Sequence, residues 1–300
     1  MASVPPDPDL QGPAAIGEPE LLPPDGQFAG VPEQEPIRRR RPTWAAAPAT
    51  YLLVGVNCLV FLLMGLRGIS PVNPGVDQLM HWGANNAGYV LNYENMLPHA
   101  QWWRILSAMF LHVGIIHLAT NMWCLWNLGL LAEPLLGSFG LFAAYVLTGG
   151  AGNLLSTIVN WVWPMRDGGS IVFPAGAGAS GAVFGIAGAL IILLKSNRLP
   201  VPPFELKRLR KSVIYFAVIN LAIGFSIWGG NQFIHSGLNI DNMAHLGGFM
   251  SGLLFAVPLV PRIGSPRDSF NRRLRFALVL MVGLLVLFGF YIAHVPPPQN

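Results

Sequence analysis

The sequence predicts an all-α polytopic membrane protein, and three observations carry that reading. Of its residues 53% are hydrophobic and only 11% are charged, where a soluble domain has about 25% charged. Seven apolar stretches, residues 51–66, 114–131, 141–163, 180–194, 213–228, 242–260 and 276–293, hold no Asp, Glu, Lys or Arg and approach the roughly 17–25 residues that cross a bilayer. The basic residues, finally, are confined to alternate connections between these stretches, the asymmetry that sets orientation in a membrane.

The first 37 residues contain no Lys or Arg, several acids and many prolines. Such a segment buries too little apolar surface to offset its ordering entropy, so residues 1–44 are expected to be a disordered tail ending in the basic cluster Arg38, Arg39, Arg40 and Arg41. It has neither the basic-then-apolar pattern of a secretory signal nor the composition of a transit peptide. With that cluster, Lys195, Arg198, Lys207, Arg208, Arg210 and Lys211 after span four, and Arg262, Arg267, Arg272, Arg273 and Arg275 after span six, most of the 18 basic residues fall on one side. Only Arg67, Arg104 and Arg166 fall on the other. The N-terminus is therefore expected in the cytoplasm and the C-terminus outside. The basic balance is explained by this partition, and no nucleic-acid partner is implied.

The connection between spans one and two carries Trp82, Tyr89, Tyr93, Trp102 and Trp103, which suit a segment at the lipid interface. Arg104 is expected to bind backbone carbonyls within it. Cys58 and Cys124 lie in spans one and two and read as small buried apolar residues without a disulfide.

Polar residues that do not belong in lipid mark the chemistry. Spans two, four and six run in the same direction, and each carries unusual residues near the same end: His117 and Asn121, Ser180, and His245. Ionisable side chains at membrane depth are functional candidates by default, and a serine with a histidine suffices for an activated hydroxyl. Pro174, Gly176 and Gly178 exclude helix before Ala179. Residues 180–194 then make a helix of roughly 22 Å at about 1.5 Å per residue, against a hydrocarbon layer of about 30 Å. Ser180 is therefore expected to be recessed at a helix N-terminus, beside irregular backbone that must line protein or a wet cavity.

Small residues could bring the two side chains together. Gly181, Gly185 and Ala189 form a stripe on span four, and Gly248 and Gly252 another on the His245 face of span six; such stripes let helix backbones approach, and also occur as ordinary packing. His117 and Asn121, four apart, share a helix face and could donate toward a developing oxyanion, as could the Ser180 N–H; interhelical hydrogen bonding is the other reading. His112 stands about 140° from His117 on a helical wheel, so no metal pair is expected. Asp241 either caps span six or supports His245; capping is the simpler reading. Phe184, one turn past Ser180, could pack its ring on the imidazole.

These segments resemble a known family. Gly178-Ala179-Ser180-Gly181 resembles the GxSG motif of the rhomboid intramembrane serine proteases, Ala244-His245 with Gly248 their AHxxG, His117 to Asn121 their HxxxN, and Trp103-Arg104 the WR of their first external loop. Glu133 followed by Gly137 is similar to the end of their second span. The resemblance covers about residues 45–260. It implies a rhomboid-like six-helix protease core over 45–261, with 262–300 adding a basic loop, a seventh transmembrane helix and a short external C-terminus. Ser180 would be the nucleophile, His245 the general base, and His117 and Asn121 part of the oxyanion hole. Gly178, Gly181, Gly185, Gly248, Gly252 and Phe184 would pack around the dyad, and Trp103 and Arg104 would be structural. No metal or organic cofactor is implied. The implied partners are single-span membrane proteins, cut near the outer end of their helix, and the lipid bilayer; the lack of sorting signals favours a bacterial inner membrane. Two other classes stand against this reading. A non-catalytic relative that binds membrane proteins would typically lack the serine or the histidine. A transporter would carry a charged residue inside a span.

Overall fold

A computed structural model describes residues 47–95, 97–195, 199, 201–229, 241–260 and 267–298. The expected acidic tail, its cluster Arg38 to Arg41, and the basic residues Arg198 and Arg262 lie outside the described residues. The chain is an all-α polytopic membrane protein. Helix α1 (Pro48–Leu66) starts with a proline in its first turn and no local side-chain cap. Its first amides go instead to a distant carboxylate: Glu133 accepts from the Ala49 and Thr50 N–H groups, both at 2.9 Å, and from the Thr50 hydroxyl at 2.7 Å. Four orphan amides open every helix, and here two of them are satisfied across the bundle.

A long loop with three short helices, α2 (Val76–Trp82), α3 (Ala87–Leu91) and α4 (Arg104–Ser107), leads to α5 (Ile115–Val162). Spans two and three are both contained in α5, which breaks at Gly137 (φ 73°) three residues after Pro134. A small hairpin follows, β1 (Met165–Asp167) pairing antiparallel with β2 (Ser170–Val172) around Gly168-Gly169. The sequence reading did not foresee it, because three-residue strands leave no hydrophobic period to detect.

Helix α6 (Ser180–Leu193) is apolar all round and is buried almost throughout, as such a helix must be to sit at the centre. Against it pack α5, α7 (Pro203–Gly229) and α8 (Asn242–Ala256). Small residues at α6–α8 permit close contact: a side chain at Gly248 would run into the Gly181 carbonyl, and one at Gly252 into that of Gly185. Helix α9 (Arg267–Ala293) completes the described bundle, with Phe276, Val279, Val286, Leu287 and Phe290 exposed along it. Such a face belongs in lipid. Among the described residues, Pro48–Leu66, Ile115–Val162, Asn242–Leu259 and Asp268–Ala293 are long and apolar enough to cross a membrane.

Four expectations need adjustment. Helix α7 begins ten residues before the expected span, so Lys207, Arg208, Arg210 and Lys211 lie on helix rather than loop; Leu, Lys and Arg are good helix formers and extend the span beyond its apolar part. Helix α9 likewise takes in Arg272, Arg273 and Arg275. Cys58 is exposed on α1 and Cys124 half-buried, both as free thiols; a thiol tolerates an apolar surface. Of the five loop aromatics only Trp103 is exposed, while Tyr93 is buried against Trp161 and Phe173.

Candidate active site

The segment before α6 is held open by pairing with the first loop. Gly176 exchanges both backbone hydrogen bonds with Asn85, each 2.8 Å, and the Gly178 N–H donates to the Ala108 carbonyl at 3.0 Å. Gly178 has a φ of +143°, and a Cβ there would stand 2.7 Å from Cε1 of the His117 ring. Both facts restrict the position to glycine. Ser180 is the first residue of α6, after Ala179.

His245 lies in the first turn of α8, buried. Its Nε2 is 2.7 Å from the Ser180 Oγ. For the hydroxyl to donate to Nε2, the imidazole proton must sit on Nδ1, and that atom is buried without a hydrogen-bond partner. The Phe184 ring stacks on the imidazole at 4.5 Å between centroids and 19° between planes, and also meets the ring of Phe216 of α7 at 5.7 Å. Asp241 does not reach Nδ1. One oxygen accepts the Ala244 N–H at 2.9 Å, capping α8, and the other accepts the Ser156 hydroxyl at 2.5 Å. Burial raises its pKa above the ordinary carboxylate value, partly offset by those hydrogen bonds.

His117 faces the serine from α5. Its Nδ1 accepts the Val113 N–H at 3.4 Å, so the proton of the neutral ring sits on Nε2, and that edge of the ring lies over Gly178 beside Ser180. Asn121 is buried, with its amide donating to the His117 carbonyl at 2.9 Å. Ser180, His245, His117, Asn121 and Phe184 share a cavity of about 500 Å³. His112 is a correction. It precedes α5 rather than lying on it, so the helical wheel does not apply, and its ring stands 5.3 Å from that of His117. Among the described residues no group of three or more His, Cys, Asp or Glu is arranged to hold a metal.

A family model described as the rhomboid domain matches residues 99–262, more than half of the chain. The chain belongs to the rhomboid family. It is 32% identical over 252 residues to "Rhomboid protease GluP" of Bacillus subtilis (strain 168), covering 84% of this chain and 42% of that protein. It is 30% identical over 227 residues to "Rhomboid protease AarA" of Providencia stuartii, covering 72% and 73%, and 29% identical over 217 residues to "RHOMBOID-like protein 5" of Arabidopsis thaliana, covering 69% and 60%. The matched region thus spans less than half of the first of these relatives.

The remaining motif residues of this rhomboid hold the first loop and the helix contacts. Arg104 is buried and donates to the Met80 and Ala84 carbonyls at 2.7 and 3.0 Å and to Gln101 at 2.6 Å. Its guanidinium lies over the rings of Tyr89 and Trp103. Gly181 faces the Ala244 carbonyl of α8, whereas the open side of Gly185 faces Thr148 of α5, a division the stripe reading did not anticipate. Sequence reasoning also missed Asn85, Asn153 and Thr157, which stitch the loop to α5, and Ser156, which ties α5 to Asp241 at the start of α8: Asn85 donates to the Asn153 carbonyl and accepts from Thr157, and Asn153 donates to the Ile105 carbonyl. Their signal was available, since polar residues recur at helical spacing inside an apolar span.

Proposed function

We propose that the chain is an intramembrane serine endopeptidase that cuts single-span membrane proteins near the outer end of their transmembrane helix. The observation that carries this reading is the 2.7 Å approach of Ser180 Oγ to His245 Nε2 inside a cavity at the N-terminal end of a short helix.

In this reading His245 takes the Ser180 proton as Oγ attacks the scissile carbonyl. The negative oxygen of the tetrahedral intermediate is met by the Ser180 N–H and the His117 Nε2–H, with Asn121 beside them. His245 then passes its proton to the leaving amine as the C–N bond breaks, leaving an acyl-enzyme on Ser180. A water enters, gives its proton to His245 and attacks the ester; the acid product leaves and the proton returns to Oγ. Phe184 holds the imidazole plane in place of a carboxylate partner.

The domain reading is a tail over 1–44, a protease core over 45–261, and an added helix and its flanks over 262–300. The basic asymmetry supports a cytoplasmic N-terminus and an external C-terminus; the membrane in this reading is a bacterial inner membrane. The test is reconstitution in liposomes with a single-span substrate. Parent protein cleaves it, and Ser180→Ala and His245→Ala lower the rate by roughly 10²–10⁴-fold or more. A serine-directed fluorophosphonate that labels parent and Ser180→Ala equally would instead favour a membrane-protein binder without catalysis.

A further inference from the structure

Ser180 and His245 are carried by α6 and α8, yet the residues that follow α9 pack into the aromatic cluster at the start of the serine loop. Val295 and Pro296 each precede a proline, a position that disfavours helix, so their carbonyls are left out of any helical ladder. Both accept from one donor, the Trp161 indole N–H, at 3.2 and 3.1 Å. Trp161 is at the end of α5 and only 4% exposed, and a buried indole N–H needs such a partner.

From Trp161 the contacts lead toward the serine. Its ring stacks on Phe173, 5.6 Å between centroids and 17° between planes, and Tyr93 sets its ring edge-on to both. Val295 packs into the same cluster. Phe173 is held on its other side as well: its carbonyl accepts from Asn86 at 2.6 Å, and the backbone at Gly88 is pressed so close to its ring that a Cβ would come within 2.8 Å. Beyond Phe173 the chain runs directly through Gly176 and Gly178, paired to Asn85 and Ala108, to Ser180. Below Val295, Ile292 is fully buried with Val90, Ile105 and Leu154, so the strap is anchored on α9.

We propose that residues 295–298 form a strut for the catalytic loop: by holding Trp161 they fix Phe173, and so the path of residues 174–180 that sets Ser180 against His245. Trp161 is then a positioning residue. The inference rests on the protease reading above. It gives the seventh helix a role in the chemistry: it carries the strut to the end of the bundle where the serine loop lies.

The test uses the full chain in liposomes with Trp161→Phe, which keeps an aromatic ring for stacking while removing the indole donor and part of the ring bulk, with deletion of residues 295–298, and with the two combined. Each single change is expected to lower kcat and the rate of Ser180 labelling by a small fluorophosphonate about five- to tenfold, with KM little changed. The combined variant is expected to be no worse than the stronger single one, since both remove the same link. Amide exchange should rise in residues 170–179 and stay unchanged in 141–155. Parental kcat and labelling in both single variants, or effects that multiply in the combined variant, would overturn the strut. Labelling of Ser180→Ala at the parental rate would overturn the protease reading instead, and exchange at 170–179 would still report on the strut.

Discussion

Two histidines flank Ser180, and they are held in opposite ways. His117 has one nitrogen engaged by the Val113 N–H, which fixes its tautomer and leaves Nε2 as a donor. His245 has one nitrogen on the serine and the other without a partner, and its orientation comes from the face of Phe184 and from a capped helix. A ring fixed by a backbone amide keeps one role. A ring held by stacking keeps its plane while its proton comes and goes. In the proposed mechanism this contrast matches oxyanion stabilisation to the first wall of the cavity and base catalysis to the second.

The largest expected effect distinguishes the two walls. His245→Asn is expected to abolish turnover and fluorophosphonate labelling together. His117→Asn, which keeps a donor, is expected to lower kcat by about 10–10²-fold with labelling only slowed; equal losses from both would dissolve the contrast. Gly178→Ala comes next. It forces a side chain into a left-handed backbone and against the His117 ring, strain of about 1–3 kcal/mol, and is expected to lower kcat/KM roughly tenfold or more in the same assay. Phe184→Ala removes a ring contact of about 0.5–1.5 kcal/mol and is expected to reduce kcat about three- to tenfold, with Phe184→Tyr close to parent. Full activity in Phe184→Ala would leave His245 without its proposed orienting group.

The smallest expected effect concerns Asp241. Because burial raises its pKa in the folded chain, its contribution to stability is fully present below the ordinary carboxylate pKa. That contribution is lost as pH rises through the raised value. Asp241→Asn keeps a capping oxygen and removes the titration, so its thermal unfolding in detergent is expected to fall less than the parent's between about pH 3 and 7. Parallel pH profiles would show that Asp241 titrates at its ordinary value.

The residues of the proposed site were legible because lipid makes polar side chains conspicuous. Ser180, His245, His117 and Asn121 stand out against apolar spans, and the short helix after Pro174 can be read from proline and glycine alone. Helix order was legible for the same reason. What was not legible depends on partners distant in sequence. Nothing near Glu133 says that its carboxylate caps a helix 84 residues earlier, nothing near Asp241 names Ser156, and His112 meets His117 only because the chain turns before α5 begins. The hairpin at 165–172 rests on three-residue strands around an exposed turn, where hydrophobic patterning is silent, and the extension of α7 follows helix propensity beyond its apolar part.

The Glu133 carboxylate has a consequence for how the protein is made. The opening turn of α1 stays incomplete until a side chain from the far end of the next span has been synthesised and brought beside it. Helix α1 is thus finished by α5, and their lateral association in the bilayer is written into the backbone of α1 as a missing pair of acceptors.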